Sequence, residues 1–478
     1  MRRINSCHSE RRRARGTPRR RGFLAALGMT LTLATPLFAQ PAPTPPKPVQ
    51  WPPITEKKLE NGLTVVLVPL HNVPKVECDL TFLAGRGTAA KEKPGVAQLA
   101  ARVLAEGTAT RSSKQIKEEL RAIGGDLNVN TDVDATTIAS SALSDFTPKL
   151  FAIVSDIAQH ASYPKSEVEL AKANFANEIE ENRSQPDFLA QVELSKALFG
   201  AHPYGFTVPD PKALPKVTRE SLKEFAAARY VPNDAVLIVV GDIEPDAAFA
   251  EVKKAFGGWK RGAAAPAVTA AFPKREKRTI YFVDRPGSVQ STIYFGAVAP
   301  PRKSPDYIAL RTADTIFGGS FYSRLTRNIR EAKGYTYSPG SSAFLRRLAG
   351  EETVSASVRN EVTGPTLLEI FYELDRMRVE PVTKEELDAA KTYSNGTMAL
   401  ELESQAGFAS RIRTLYVYDL PHDFLKTFSE KINALTPADI QKAAAKYFDT
   451  YRGAVVVVGD YKQVASQVTP FGDVVMVK

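Results

Sequence analysis

Histidine is the side chain that most often binds zinc in proteins. In this sequence the histidines are few and scattered. Apart from His8 near the start, they are His71, His160, His202 and His422. No two of them are three or four residues apart, the spacing that places two ligands on one face of a helix. A zinc site made from this set would need ligands from distant segments, so the residues alone do not favour one.

The thiol chemistry open to the chain is equally limited. Cys78 lies in an alternating apolar stretch, and Cys7 lies within an Arg-rich leader. Once the leader is removed, no internal disulfide can form. We interpret Cys78 as a small buried hydrophobic residue rather than a nucleophile.

Arg330 and Tyr337 lie seven residues apart, and both side chains can donate hydrogen bonds to a bound ligand. The plainer alternative is that Arg330 interacts with a helix C-terminus and Tyr337 is a half-buried aromatic residue in a strand. Composition and spacing alone favour that alternative.

The net charge of +10 does not indicate a nucleic-acid partner. Residues 1–39 hold nine arginines and one glutamate (9 − 1 = +8), which leaves 54 Lys+Arg against 52 Asp+Glu (54 − 52 = +2) in the rest. The basic excess therefore belongs to the leader, and the body lacks a basic stripe interleaved with aromatic residues.

The leader has the pattern of an export signal. Residues 19–21 are three arginines, residues 23–38 are mostly apolar, and Ala39 is a small residue at the expected cleavage point. Both a Sec and a twin-arginine signal fit this pattern. We expect a periplasmic or secreted protein in which residues 40–53, rich in proline, form an extended tether.

From residue 54 onward, the sequence pattern predicts two similar halves. In each, strands and helices follow one another in the same order and end in a buried strand with the sequence Val-Val-Gly-Asp, at 239–242 and 457–460. We predict an N-terminal half over 54–256, a linker over 257–277 and a C-terminal half over 278–478. Each half is expected to be an α+β unit, a mostly antiparallel sheet with helices on one face, and the halves are expected to enclose a cleft.

Several segments, in order, resemble the M16 (pitrilysin/insulinase-like) metallopeptidase family. They include Leu-Glu-Asn-Gly-Leu at 59–63, Pro-Gly-Val-Ala at 94–97, His-Pro-Tyr-Gly at 202–205 and Phe-Gly-Gly-Ser at 317–320. The resemblance covers roughly residues 54–478. It implies the two-half M16/LuxS-like metallohydrolase fold.

The sequence departs from the family at its zinc motif. Active members carry His-x-x-Glu-His on the helix that follows Pro-Gly, with a later Glu as third ligand. The matching positions here are Gln98, Ala101 and Arg102, and only Glu178 fits the third ligand. An amide binds zinc weakly and a guanidinium has no lone pair to donate, so we expect no zinc in this chain. Arg102 could instead pair with Glu178, a question that the sequence leaves open.

What the resemblance implies for function depends on what the chain keeps. In M16 enzymes an Arg and a Tyr matching Arg330 and Tyr337 help bind the peptide and stabilise the oxyanion. The resemblance therefore implies a non-catalytic, peptide-binding subunit that completes the active site of a zinc-bearing His-x-x-Glu-His partner in a heterodimer. Phe321 and Tyr322 could line a peptide groove, although packing in the core is the default interpretation. The sequence of residues 202–205 is more typical of a turn than of a substrate-binding loop.

Two alternatives remain at this point. M16-like chains also serve as structural scaffold subunits of larger assemblies that have no proteolytic role. The chain could also be a stand-alone M16 metalloendopeptidase that uses atypical ligands.

Overall fold

The computed structural model describes residues 51–89, 93–263 and 271–477, all within one compact unit that spans residues 48–478. The predicted signal over 1–39, most of the tether and the middle of the linker lie outside the described residues. Among the described residues, none of the helices combines the length and the apolar character needed to span a membrane.

The first sheet has six strands in the spatial order β1-β2-β6-β3-β5-β4. The β2–β6 pair is parallel and the other neighbouring pairs are antiparallel. The strands are β1 (Thr55–Lys58), β2 (Thr64–Pro69), β3 (Lys75–Phe82), β4 (Asp126–Thr131), β5 (Thr136–Leu143) and β6 (Ala235–Gly241).

The second sheet repeats this plan with the order β12-β7-β11-β8-β10-β9. Five of its strands correspond in position to β2–β6, but the sixth comes from the C-terminus and runs parallel to β7, whereas β1 forms a hairpin with β2. The strands are β7 (Thr279–Asp284), β8 (Gln290–Ala299), β9 (Gly340–Leu345), β10 (Gly350–Arg359), β11 (Ala454–Gly459) and β12 (Asp473–Val477).

Helices follow the same repeat. Those of the first half are α1 (Val96–Val103), α2 (Ser113–Ala122), α3 (Thr147–His160), α4 (Lys165–Arg183), α5 (Pro186–Phe199), α6 (Arg219–Arg229) and α7 (Pro245–Phe256). Those of the second half are α8 (Tyr307–Asp314), α9 (Thr363–Val379), α10 (Lys384–Leu402), α11 (Gln405–Val417), α12 (Phe424–Asn433), α13 (Pro437–Tyr447) and α14 (Tyr461–Val468). Two π-helical segments, Thr315–Gly319 and Thr326–Ala332, follow α8.

The α+β prediction with two similar halves is confirmed, and the structure adds an exchange of helices between them. Helix α5 packs on β8 and β11 of the second sheet, and α11 packs on β3 and β6 of the first. The Val-Val-Gly-Asp strands β6 and β11 are therefore buried on both faces, which explains their continuous apolar sequences. A cavity of about 490 Å³ lies between α5 and the second sheet, with Gln191 and Tyr294 among its lining residues.

Two carboxyl groups of β3 lie close to the exchanged helix α11. Arg413 Nη1 of α11 donates a hydrogen bond to Asp79 at 2.9 Å, and Glu77 lies two residues earlier on the same side of the strand. Burial raises the pKa of Asp79 to about 6, against the lowering effect of Arg413. Burial, reinforced by the charge of Asp79, raises the pKa of Glu77 to about 7.

These raised pKa values predict that stability falls as the pH rises from about 5 to about 8. Across this range the folded state holds protons that the unfolded state has already released. The stabilisation is therefore complete below the pKa of these carboxyl groups in the unfolded state. It is lost as the pH rises through their pKa in the folded state. Glu77→Gln should reduce this pH-dependent loss in the free energy of unfolding by about 1–3 kcal/mol. Urea unfolding at about pH 5 and about pH 8 measures the loss. Glu60→Gln is the control, because Glu60 is exposed. An unchanged loss in Glu77→Gln would contradict the prediction.

Candidate functional site

Helix α1 carries the positions that would hold zinc in an active relative. It begins after Gly95, whose φ of +86° is a left-handed conformation that glycine adopts without strain. Its Val96, Leu99 and Val103 are buried in the core of the first half. Gln98 and Arg102 lie one turn apart on the less buried side of the helix.

Arg102 is held by two residues of α4. Its Nη2 donates to Glu178 Oε1 at 3.0 Å and lies 2.9 Å from Oε2, so both carboxylate oxygens contact the guanidinium. The guanidinium also stacks on the Phe175 ring at 4.3 Å, a contact that the sequence analysis missed. Phe175 lies one turn before Glu178 on the same helix face, and that spacing was the available signal. The pairing that the sequence left open is thus present.

This arrangement does not fit a zinc ion. The carboxylate that would serve as third ligand is occupied by a permanent cation, and the same cation would repel a divalent metal. Ala101, where an active relative has its general base, is a buried methyl group. Within residues 51–89, 93–263 and 271–477, no three His, Cys, Asp or Glu side chains are grouped as metal ligands would be.

The four histidines of the body have separate surroundings. His71 contacts Asp242 at 2.6 Å, His160 contacts Asp156 at 3.1 Å, and His422 lies 3.3 Å from Glu56. His202 is buried, and burial lowers its pKa. Cys78 is fully buried and burial raises the pKa of its thiol, as expected of a core residue rather than a nucleophile.

The His-Pro-Tyr-Gly segment forms a buried turn that joins the two halves. His202 Nδ1 accepts a hydrogen bond from the Tyr204 N–H at 3.1 Å. The Tyr204 hydroxyl donates to Asp134 at 2.6 Å and accepts from the Leu348 N–H, in the turn between β9 and β10, at 3.1 Å. The Arg347 N–H donates to the other oxygen of Asp134 at 3.0 Å. The turn therefore connects the halves through hydrogen bonds to the Tyr204 hydroxyl and the Asp134 carboxylate.

Removing the hydroxyl of Tyr204 should weaken this connection. Tyr204→Phe leaves a buried carboxylate oxygen and a backbone N–H without their partner, which is expected to lower the free energy of unfolding by about 1–3 kcal/mol. Chemical denaturation measures the change, and Tyr451→Phe, at an exposed tyrosine, is the matched control. If the free energy of unfolding of Tyr204→Phe lies within about 0.5 kcal/mol of the wild-type value, the turn does not hold the two halves together.

Arg330 and Tyr337 meet on the surface of the second half. Arg330 lies in the second π-helical segment, and its guanidinium lies over the Tyr337 ring at 4.3 Å and over the Phe321 ring at 4.7 Å. Tyr337 is 76% exposed and precedes β9, so it is not the half-buried strand residue considered above. Phe321 and Tyr322 are also exposed, so their interpretation as core residues is wrong.

One buried ion pair and two hydrogen bonds of an asparagine anchor the helical stretch that carries Arg330. Arg324 donates from two nitrogens to both carboxylate oxygens of Glu386 on α10, at 2.7 and 2.8 Å. Although burial opposes the effect, these hydrogen bonds lower the pKa of Glu386. Asn328 donates to Glu369 and Glu373 on α9, each at 2.9 Å. The helical stretch from Arg324 through the π-helical segment is therefore anchored on α9 and α10, and Arg330 in this stretch is half-buried.

Comparisons with known proteins are consistent with these features. A model described as "Insulinase (Peptidase family M16)" matches residues 64–212, and one described as "Peptidase M16 inactive domain" matches residues 216–393. Together the two ranges cover well over half of the chain. The chain belongs to the M16 peptidase family. It is a member that lacks the zinc motif, since His-x-x-Glu-His occurs nowhere in its sequence.

Similar proteins match this chain along most of their length. An "uncharacterized zinc protease" of Rickettsia felis is 25% identical over 84% of this chain and 96% of its own length. The "non-peptidase homolog YmxG" of Helicobacter pylori is 24% identical over 77% of this chain and 85% of its own. The crystal structure of a "peptidase M16 inactive domain" from Pseudomonas fluorescens superimposes with a TM-score of 0.80 at 25% identity, covering 85% of this chain and 98% of that one.

Proposed function

We propose that the chain is the non-catalytic, peptide-binding subunit of an exported two-component M16 zinc peptidase. The observation that carries the proposal is the contrast between its two sites. The Arg102–Glu178 ion pair occupies the face of α1 where zinc ligands would lie. Arg330, which is half-buried, and Tyr337, which is exposed, lie together at the surface, where they could act on a substrate held elsewhere.

The Arg330–Tyr337 pair suits a role in binding a peptide during cleavage. A guanidinium and a phenol both donate hydrogen bonds, and both favour an oxygen on which negative charge develops. Among the described residues no carboxylate lies within ion-pair distance of Arg330, whereas Arg324 nearby pairs with Glu386 through its Nε and Nη2 atoms. The catalytic zinc and its general base would come from a His-x-x-Glu-His partner, and the leader pattern in residues 1–39 supports export.

The proposal is tested by comparing the chain alone with the complex. The purified chain should contain less than about one zinc per ten molecules and should leave unfolded peptides intact, because its own helix cannot hold the metal. Adding the His-x-x-Glu-His subunit should produce cleavage that a chelator abolishes. Chelator-sensitive cleavage by the chain alone would overturn the proposal and would favour a stand-alone peptidase.

A scaffold role is the second candidate, and the printed name of the Helicobacter pylori relative, a non-peptidase homologue, favours it. A scaffold would need the fold and its surfaces but not the donors of Arg330 and Tyr337. Substitution of those two side chains within the complex therefore separates the two candidates.

A further inference from the structure

A small pocket opens beside the Arg330–Tyr337 pair. It has a volume of about 170 Å³ and lies between the first π-helical segment and α10. Phe321 connects it to the pair, because its ring lies under the Arg330 guanidinium and meets the Tyr322 ring edge-on at 5.5 Å. Phe321 and Tyr322 both line the pocket, so the pair and the pocket form one continuous surface.

The lining of the pocket is mostly apolar. Ile316, Ala389 and Ala390 provide aliphatic surface, and Phe321, Tyr322 and Tyr393 provide aromatic rings. All three aromatic residues are more than half exposed. Exposed aromatic residues clustered in this way are typical of binding surfaces, since they offer apolar area at little conformational cost.

The charged groups of the pocket argue against a cationic ligand. Glu386 is the lining carboxylate, but both of its oxygens accept hydrogen bonds from Arg324 and one also accepts from the Thr383 N–H. Arg327, which is exposed, lies at the lining as well. A positively charged side chain would therefore meet an occupied carboxylate and an exposed cation.

We propose that this pocket receives one apolar side chain of the bound peptide, about the size of leucine, methionine or phenylalanine. A cavity of about 150 Å³ accommodates a molecule as large as benzene, so the volume fits a single side chain of this class. The inference rests on the proposed function, because it assumes that a peptide lies against Arg330 and Tyr337. It adds a preference in side-chain type and size at a position beside the carbonyl that these residues bind.

The π-helical geometry explains why the pocket exists at this place. Helix α8 changes to a π-helix at Thr315, and both Thr315 and Ile316 line the pocket. A π-helix is wider than an α-helix and is frequent at functional sites. Gly318 allows the segment to approach β9 closely, since a Cβ there would lie 2.7 Å from the backbone nitrogen of Ser341.

The experiment fills the pocket without disturbing the core. Ala389 is exposed on α10 and lines the pocket, so Ala389→Leu places an apolar group in the space intended for the ligand. Ala445→Leu makes the same change on an exposed position of α13 outside the pocket. Leucine is a good helix former, so both variants should keep the fold.

Binding is measured by fluorescence anisotropy with two labelled peptides of twelve residues. Both have a Ser/Asn/Gly host sequence, and they differ by leucine or glycine at one central position. The wild-type chain and Ala445→Leu should bind the leucine peptide about tenfold more tightly, as expected for a partly buried leucine. Ala389→Leu should bind the two peptides equally.

Several results would overturn the inference. The pocket is assigned wrongly if Ala389→Leu keeps the preference, or if the wild-type chain binds both peptides equally or binds neither. It is a subunit contact instead if Ala389→Leu loses the His-x-x-Glu-His partner while keeping the peptide preference. If Arg330→Ala leaves cleavage by the complex unchanged while Ala389→Leu behaves as predicted, the pocket stands and the proposed function fails.

Discussion

Arg330→Ala is expected to lower kcat/KM of the complex with the zinc-bearing partner by about a hundredfold, and Tyr337→Phe by about tenfold. The loss follows from removing donors that act on the oxygen where charge develops, for which single groups contribute factors of about 100 to 1,000. Arginine has the larger expected effect because its charge is permanent and its planar nitrogens can hold a carbonyl oxygen in a fixed direction. Steady-state cleavage of a quenched fluorescent peptide measures both variants.

The control for this experiment is an arginine that makes no contribution to the surface described above. Arg121 lies exposed on α2 of the first half, so Arg121→Ala removes the same charge from the chain and should leave kcat/KM unchanged. Recovery of the partner with each variant shows that the complex still forms. Full cleavage activity in an intact Arg330→Ala complex would favour the scaffold role.

Zinc binding is expected to appear when two positions of α1 are changed together. In Gln98→His with Arg102→His, two imidazoles lie one turn apart, and Glu178 is released from its ion pair to become the third ligand. The affinity for zinc should rise at least about a thousandfold over the wild type. The reason is that the Gln98 amide, a weak ligand, and the Arg102 cation are replaced by two strong imidazole ligands. Competition with a chromophoric chelator at pH 7 measures the affinity.

A single substitution distinguishes the new ligands from the loss of the cation. Arg102→Ala frees Glu178 but adds no ligand, so it should gain little zinc affinity compared with the double variant. If the double variant binds no more zinc than Arg102→Ala, then Gln98, Arg102 and Glu178 do not correspond to the zinc ligands of active M16 relatives.

The strongest local patterns predicted their elements well. The Val-Val-Gly-Asp segments lie at the ends of the buried strands β6 and β11. Their continuous apolar runs are short-range patterns. They can be recognised without knowing which parts of the chain pack together.

Some elements carry no clear local pattern. Helices α5 and α11 lack a single apolar stripe, because each contacts the opposite sheet as well as its own neighbours, so periodicity alone does not predict them. Strands β4 and β9 lie at sheet edges and contain several Asp, Asn, Ser or Gly residues that are uncommon in strands, so their sequences do not indicate strands.

The candidate site shows the same division between local pattern and tertiary contact. The resemblance identified Arg330, Tyr337, Arg102 and Glu178 as candidate site residues. It did not reveal the π-helical backbone that carries Arg330, because a π-helix differs from an α-helix by a hydrogen-bond shift that no periodicity shows over a few residues. Nor did it show that Phe321 is exposed and stacked on Arg330.

The central claim is that this chain works together with a zinc-bearing M16 subunit, and a native pull-down tests it most directly. The tagged chain is recovered from its own cells, and the bound proteins are identified by mass spectrometry. We expect a His-x-x-Glu-His chain of similar size, recovered in roughly equal amount with the tagged chain and giving chelator-sensitive cleavage in the eluate. Recovery of the chain alone, or of an assembly that contains no such subunit, would contradict the account.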